Sequence, residues 1–485
     1  MRTPMLLALA VWCSAQVASG QPAPPVPSFP GTSPSPVMLA QPWPLPGSWY
    51  APPAYGLPGP NGGLPAPPPG STVVPLQVPP AQAQTPAWVE ANLAEEAAAR
   101  APKHAETITS HPHWVWANFD YALGWIRPRG IGIPLLTTGS VADPIPGALG
   151  QPGTRILLGA GGADSFDLGT FNGIRPEIGF FLDDHHHLSI EATAVILFSR
   201  DRLYSMRSNN QGDPLLTRPI NDVAVLLNGV ERSVITAANI PLGSNIAGRF
   251  DATATSEYYG WEINARYNDL VFGRLQANVL TGFHALVLRE RLLLQDTLQP
   301  LNDASLNFLG NPVAVGSTVT NRDHFSTSNR FYGWQIGIGL GLEDPWYFVR
   351  VSTKLGLGVT AQEGTIAGES TLISPAGIQT AAGGVLALSP NIGSHSRNVF
   401  GIVSDSGVQV GLHIHRNVTL QACYSFLLWG KVVRPEKLID RTVNTNLLPT
   451  SATFGNAPDT QRPEPRFSDG AFWVHVLNLG VQVTY

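Results

Sequence analysis

Residues 472–485 read FWVHVLNLGVQVTY, and apolar and polar positions alternate along them almost to the last residue. Trp473, Leu477, Leu479, Val481, Val483 and Tyr485 fall on one face, with Asn478, Gly480, Gln482 and Thr484 on the other. A period of two over this length is a strand, because successive side chains of extended backbone point to opposite sides. A water-soluble sheet that ended on an exposed apolar strand would leave an edge open to aggregation. A closed barrel in an outer membrane turns that face to lipid, and closure removes the edge. The ending therefore predicts a transmembrane β-barrel.

The same alternation recurs upstream. Trp114–Ile126 is a first strand, with Val115, Phe119, Tyr121, Leu123 and Trp125 opposite Asn118, Asp120, Ala122 and Gly124. Four hairpins follow: Ile174–Leu182 with Leu188–Phe198, Tyr259–Tyr267 with Leu275–Val287, Tyr332–Leu342 with Tyr347–Val359, and Val408–Ile414 with Val418–Leu428. Their joints are short and built from Asp, Asn, Pro and Glu, residues that favour turns. Between hairpins lie long stretches at roughly 127–170, 205–249, 295–330, 361–399 and 431–470. Short turns on one side and long loops on the other mark an outer-membrane barrel. The fold class is thus all-β, an antiparallel transmembrane β-barrel of about ten strands, or twelve if a loop hides a further hairpin. Aromatic residues at strand ends (Trp114, Trp116, Trp125, Tyr258, Tyr259, Phe331, Tyr332, Trp346, Tyr347, Trp429, Phe472, Trp473) are expected to form the interfacial girdles.

Composition agrees with this. Of 485 residues 43% are hydrophobic, yet only 13% are charged, about half the usual share. Mean hydropathy is +0.04, as expected when lipid and lumen faces average out. With a net charge of −5 and no basic block, nucleic acid is not an expected partner. Residues 1–20 have the form of a signal peptide: Arg2, an apolar run over 5–12, and Ala18-Ser19-Gly20 as a small-residue cleavage site. Cleavage there would leave Cys423 as the single cysteine, so no internal disulfide is expected. Residues 21–86 are dense in Pro and Gly and are expected to form a disordered periplasmic arm. Its aromatic residues make peptidoglycan a candidate partner. Residues 87–112 suit a short helix or linker, and 113–485 the barrel.

Several pieces go beyond generic alternation. They are PLLTTG (134–139), LGQPGTRILLG (149–159), GWEINARYN (260–268), NRFYGWQIGIGLG (329–341), GGVLALSPNIGSHSRNVFGIV (383–403), YSFLLWGKVVRPEKLIDRTVN (424–444) and LPTSATFG (448–455). With them the chain resembles a family of bacterial outer-membrane β-barrel proteins typical of planctomycetes, over approximately residues 113–485. The resemblance implies fold and location. That family has no assigned activity, so it brings no catalytic residue.

The candidate chemistry is sparse. His185-His186-His187 sits in a strand-joining turn, where adjacent side chains point in alternate directions and cannot all chelate one ion. It reads as a solvated periplasmic turn. Lumen positions carry Arg175 with Glu177, Glu191, Glu262 with Arg266, and Arg274. These suit an internal ion-pair network in a filled barrel better than a selectivity ring, since ten strands lie near the eight whose interior side chains fill. Lumen-side Gly337, Gly339, Gly341, Gly356 and Gly358 would leave space and favour an opening. Cys423 is expected on the lumen side as a small filler. Asp201, Asp323-His324 and Ser394-His395-Ser396 are polar groups near strand ends with no spacing that brings them together, and GTIAGES (364–370) reads as a Gly/Ser-containing loop. The sequence nominates no catalytic, cofactor-binding or metal-ligating residue, and an enzyme is not expected.

The expectation is an exported barrel in the outer membrane, with the lipid bilayer around it. The strand ending at Tyr485 would be read by the barrel-assembly machinery. A structural or surface-display role through the long loops is the first reading. A narrow passive channel for small solutes is the alternative, and an outer-membrane hydrolase or acyltransferase ranks below both.

Overall fold

The computed structural model describes residues 114–163, 165–224, 229–241, 243–272, 274–303, 305–456 and 460–485. The expected signal peptide, Pro-rich arm and short helix lie outside the described residues. Ten antiparallel strands form the wall: β1 (Val115–Ile126), β2 (Thr170–Phe181), β3 (Leu188–Arg207), β4 (Asn245–Phe272), β5 (Leu275–Pro300), β6 (Thr318–Glu343), β7 (Tyr347–Ser374), β8 (Gly393–His415), β9 (Val418–Val433) and β10 (Asp469–Thr484). Each pairs with the next in sequence. The ring closes where β10 pairs with β1, from Trp116↔Thr484 to Ile126↔Val474. The terminal strand is hydrogen-bonded on both sides, so its apolar face is an outer wall and not an edge.

Alternation explains why these segments suit lipid. Along β6, Tyr332, Trp334, Ile336, Ile338, Leu340 and Leu342 are exposed on the outside. Between them Gly333 and Gln335 are buried inside. That run is about the length that crosses a bilayer.

The strands do not stop at the membrane. β4 and β7 are 28 residues long and β5 and β6 are 26, far beyond the roughly 9–11 that a crossing needs. Above Tyr332 the outward positions of β6 become Arg330, Ser328, Ser326, His324 and Arg322, while pairing with β5 and β7 continues unbroken. At about 3.3 Å per residue, Thr318–Arg330 adds on the order of 40 Å of strand outside the membrane. Much of what alternation alone leaves as loop is therefore sheet. GTIAGES (364–370), read as a loop, lies inside β7: all of it pairs with β6, and Gly364–Ile366 pair with β8 as well. It lacks apolar alternation because its outer face meets water.

The joints between Phe181 and Leu188, Phe272 and Leu275, Glu343 and Tyr347, and His415 and Val418 are short, and the other five connections are long. The long connections do not extend freely. Ile131, Leu135, Leu136 and Phe166 of the first, Leu216 and Ile220 of the second, Val385–Leu388 of the fourth, and Leu438, Ile439 and Leu448 of the fifth form one core. This core is shared with the inner faces of β4–β7, through Phe250, Leu292, Leu294, Phe325 and Ile366. The strand extensions make a cup, and the loops fill it.

Candidate functional site

In a barrel the place to look is the lumen and its two mouths. On the side of the short turns the lumen opens into a polar vestibule of about 620 Å³. Arg175 on β2 donates to Asp120 on β1 at 3.1 Å and to Glu177 at 2.7 Å, and Arg266 on β4 reaches Glu191 on β3 at 2.7 Å. One layer further in, Lys354 on β7 bridges Glu262 on β4 at 2.7 Å and Asp405 on β8 at 2.9 Å. Gln335 Nε2 on β6 donates to Glu262 at 2.8 Å and to Asn264 at 2.6 Å. Charges from β1, β2, β3, β4, β7 and β8 thus meet across the axis. Each finds an opposite charge, which is what burial in a low-dielectric space demands.

Five of the sequence-predicted lumen charges, Arg175, Glu177, Glu191, Glu262 and Arg266, are placed as expected, some with changed partners. Arg175 does pair with Glu177, but Glu262 pairs with Lys354 and not with Arg266. Arg274 is a correction: it lies exposed in the β4–β5 turn and not in the lumen, because β4 ends at Phe272. Lys354 and Asp405 were missed. Lys354 has the same parity as Gly356 and Gly358 and was legible as inward; Asp405 sits in IVSDSG, where alternation fails. At Gly337, Gly339 and Gly358 neighbours occupy the space beside the glycine, whereas at Gly341 and Gly356 a Cβ would meet nothing closer than 3.4 Å. A Cβ on Gly337 would lie 2.8 Å from Lys354 Cγ, and one on Gly333 2.4 Å from Phe331 Cζ. These positions are empty so that long neighbours can cross them. Cys423 lines the lumen, as its parity predicts.

Within the charged layers a smaller cavity of about 100 Å³ is lined by Arg175, Glu262, Lys354 and Asp405 on one side and Tyr258 and Leu427 on the other. It meets an aromatic plug. Tyr258 on β4 stacks on Phe472 on β10 with centroids 5.7 Å apart. Trp429 on β9 packs edge-on against Phe472 at 6.3 Å and Phe331 on β6 at 6.2 Å, while its Nε1 donates to Thr360 on β7 at 3.0 Å. Phe331 is 0% exposed, as are Trp429 and Phe472. This corrects the girdle expectation. The doublets Tyr258-Tyr259, Phe331-Tyr332 and Phe472-Trp473 each place one ring inside and the next outside, since neighbours in a strand face opposite ways. Tyr259, Tyr332 and Trp473 face outward; Tyr258, Phe331 and Phe472 pack inside the lumen. Trp116 also turns inward, donating to Glu177 at 3.3 Å, and Trp429 belongs to the plug.

The third level is the filled cup, fastened by two buried carboxylates. Arg218 of the second long connection is 1% exposed and donates to Asp296 on β5 at 2.8 Å and Asp323 on β6 at 3.4 Å. Thr236 of the same connection adds a bond to Asp296 at 2.7 Å. Asp323 Oδ1 accepts the backbone N–H groups of Val385, Leu386 and Ala387 at 2.8, 2.9 and 2.8 Å. Burial pushes the Asp296 carboxyl above its ordinary range, against the pull of Arg218. Asn329 holds the start of the fifth connection through both backbone groups of Val433, at 2.8 and 2.9 Å. Nothing in the sequence marks Arg218, because its partners lie 78 and 105 residues away.

The remaining candidates do not converge on a catalytic arrangement among the described residues. Asp323 is engaged in the fastening just described, while His324 faces outward from the next position. Ser394 Oγ donates to Glu363 at 3.4 Å, and His395 contacts the backbone oxygen of Asn391 at 3.4 Å. Asp201 is exposed on β3, opposite Thr255. In the histidine run, His185 and His187 stack with each other at 5.4 Å, whereas His186 turns away onto Phe181 at 4.2 Å. The backbone N–H groups of Leu188 and His187 hold the Asp183 carboxyl beside them below its usual range.

Among solved structures, the outer membrane protease OmpT from Escherichia coli is 9% identical, with a TM-score of 0.31 over 78% of this chain and 99% of that one. A Pseudomonas aeruginosa FadL homologue is 9% identical, with a TM-score of 0.19 over 77% and 90%. An anion-selective porin from Comamonas acidovorans is 8% identical, with a TM-score of 0.17 over 76% and 98%. No curated protein matches the chain. Residues 116–485, which take in the whole barrel but for Val115, match the family described as Putative beta barrel porin-7 (BBP7), and the chain is an outer-membrane β-barrel protein of that family.

Proposed function

We propose that this protein is a closed structural barrel whose working part is the extracellular head, a platform for contact with neighbours or extracellular partners. The observation that carries this reading is the aromatic plug of Tyr258, Phe331, Trp429 and Phe472 meeting across the axis beneath a loop-filled cup. A lumen blocked at two levels would leave no continuous water path among the described residues. The rigid paired extensions of β4–β7 present the head well clear of the lipid. The family description and the polar vestibule favour a second reading, a narrow passive channel for small solutes that opens when plug and loops move. Conductance of the full chain in a planar bilayer separates the two. A silent but heat-modifiable protein supports the closed platform. Steady, reproducible steps would overturn it and make Glu262, Arg266 and Lys354 selectivity candidates.

We also propose that the protein is not an enzyme. The engagement of Asp323 by backbone donors and the outward turn of His324 support this. The barrel-assembly machinery would recognise β10, which must pair on both sides to close the ring. Peptidoglycan stays the proposed partner of the Pro-rich arm, on its composition.

A further inference from the structure

The β2–β3 turn has the chain closing on itself around one carboxylate. Leu182 N–H donates to Leu188 O at 2.8 Å, and His186 N–H to Asp183 O at 3.1 Å. Asp183 Oδ2 accepts His187 N–H at 3.0 Å, and Oδ1 accepts Leu188 N–H at 2.6 Å. His186 sits at φ 60°, in the left-handed region that a non-glycine residue seldom occupies. Across that kink the three histidines still alternate, with His186 on the side opposite its two neighbours. His186 is carried away to stack on Phe181 and to meet Trp114 edge-on at 6.3 Å. His185 and His187 are left side by side, their rings 11° from parallel. His187 Nδ1 lies 3.4 Å from Asp183 Oδ2. One ligand atom from each of Asp183, His185 and His187 lies within 4.8 Å of the others.

We propose that this turn binds one divalent transition-metal ion of the zinc class, with Asp183, His185 and His187 as ligands and water completing the shell. Tetrahedral ligands at about 2.0–2.1 Å from zinc are roughly 3.4 Å apart. Closing from 4.8 Å asks the ligand atoms to approach one another by about 1.4 Å, which a change in ring orientation of the exposed His185 supplies. The carboxylate needs no such movement, because two backbone donors already hold it in place. Each of its oxygens still has a lone pair to give. Two imidazoles and a carboxylate suit zinc, cobalt, nickel or copper(II), and the absence of thiolate from the set disfavours a soft monovalent ion. Three protein ligands leave a fourth position open to water or to a ligand. His185 and His187 also line the vestibule, so the ion would sit at its mouth.

Cobalt(II) alone is the probe, added to the full chain in detergent micelles after chelator treatment, with no polyhistidine tag. The expected result is visible absorption of a tetrahedral centre, saturating at about one equivalent and displaced by zinc. H185A and H187A should each lower that signal, and the double variant should bring it to roughly a tenth or less, whereas H186A should leave it intact. All four histidine variants are checked for heat-modifiable folding first, and D183N serves as a milder probe of the carboxylate than truncation. The absence of saturable absorption from the unmodified protein would overturn the assignment. Equal binding by the H185A/H187A variant would do the same, as would a loss in H186A as large as that in H185A.

Discussion

Replacing Asp323 tests whether the head is fastened to the barrel or merely rests on it. Its side chain is about 1% exposed and receives three backbone N–H groups from residues 385–387 and one guanidinium from Arg218. Alanine would leave three buried donors without an acceptor, at about 1–3 kcal/mol each, and Arg218 with Asp296 as its one remaining carboxylate. The segment would relax before bearing that whole sum. The cost should settle near the roughly 3–5 kcal/mol of a broken buried pair. Asparagine keeps one oxygen but loses the charge that about doubles each bond, so about 2–3 kcal/mol is expected. At 1.4 kcal/mol per decade, amide hydrogen exchange at Val385, Leu386 and Ala387 should speed up roughly a hundredfold in D323N. In D323A the increase should be a few hundredfold or more. Amides of the membrane crossing, such as Ile338, serve as the internal control and should not change. Both variants should remain electrically silent, because the aromatic plug lies below the fastening. Unchanged protection at residues 385–387 would refute the claim that this carboxylate holds the loop.

The two seals should act in series: replacing Phe331, Trp429 and Phe472 with alanine, at about 3–5 kcal/mol each, should give conductance only when residues 384–391 are also removed. Single-channel recording of the alanine variant, the deletion variant and their combination checks this, and current from the alanine variant alone would show that the cup is leaky. Lys354→Met strands Glu262 and Asp405 in the lumen, so the heat-modification midpoint should fall by an amount matching about 3–5 kcal/mol. Adding E262Q should recover part of that loss, and failure to recover any would argue against the pairing. For Asp296, whose folded value is raised, ionisation weighs against the folded head. Its contribution to stability is therefore largest below the ordinary carboxylate value near 4 and is lost as pH rises through the folded value. Protection around Thr236 should weaken on raising pH in the parent and lose that component in D296N; identical profiles would contradict the assignment. Deleting residues 472–485 removes the pairing partner of both β1 and β9 and should abolish membrane insertion, read as loss of the heat-modifiable band.

What could be read from the chain alone was whatever depends on the contrast between lipid and lumen. FWVHVLNLGVQVTY and its counterparts specify ten crossings, because the bilayer accepts apolar side chains on alternate positions and nothing else. The short Asp- and Pro-rich turns fall where alternation stops against water. Pairing of Arg175 with Glu177 was also legible, being two residues apart on one strand face. Three things needed the tertiary structure. Strand extension beyond the membrane was hidden because both faces there meet polar groups or loops, so pairing persists without periodicity. The role of each aromatic doublet depended on parity across the axis: Phe331 and Tyr332 are chemically alike, and only closure of the ring decides which becomes plug and which becomes girdle. The fastening by Arg218, Asp296 and Asp323, and the approach of His185 to His187, depend on where the backbone turns. Contacts between residues 78 and 105 positions apart, or a single left-handed residue at His186, leave no periodic trace in a sequence. They arise because the ring brings distant strands to one interior that must be filled and neutralised.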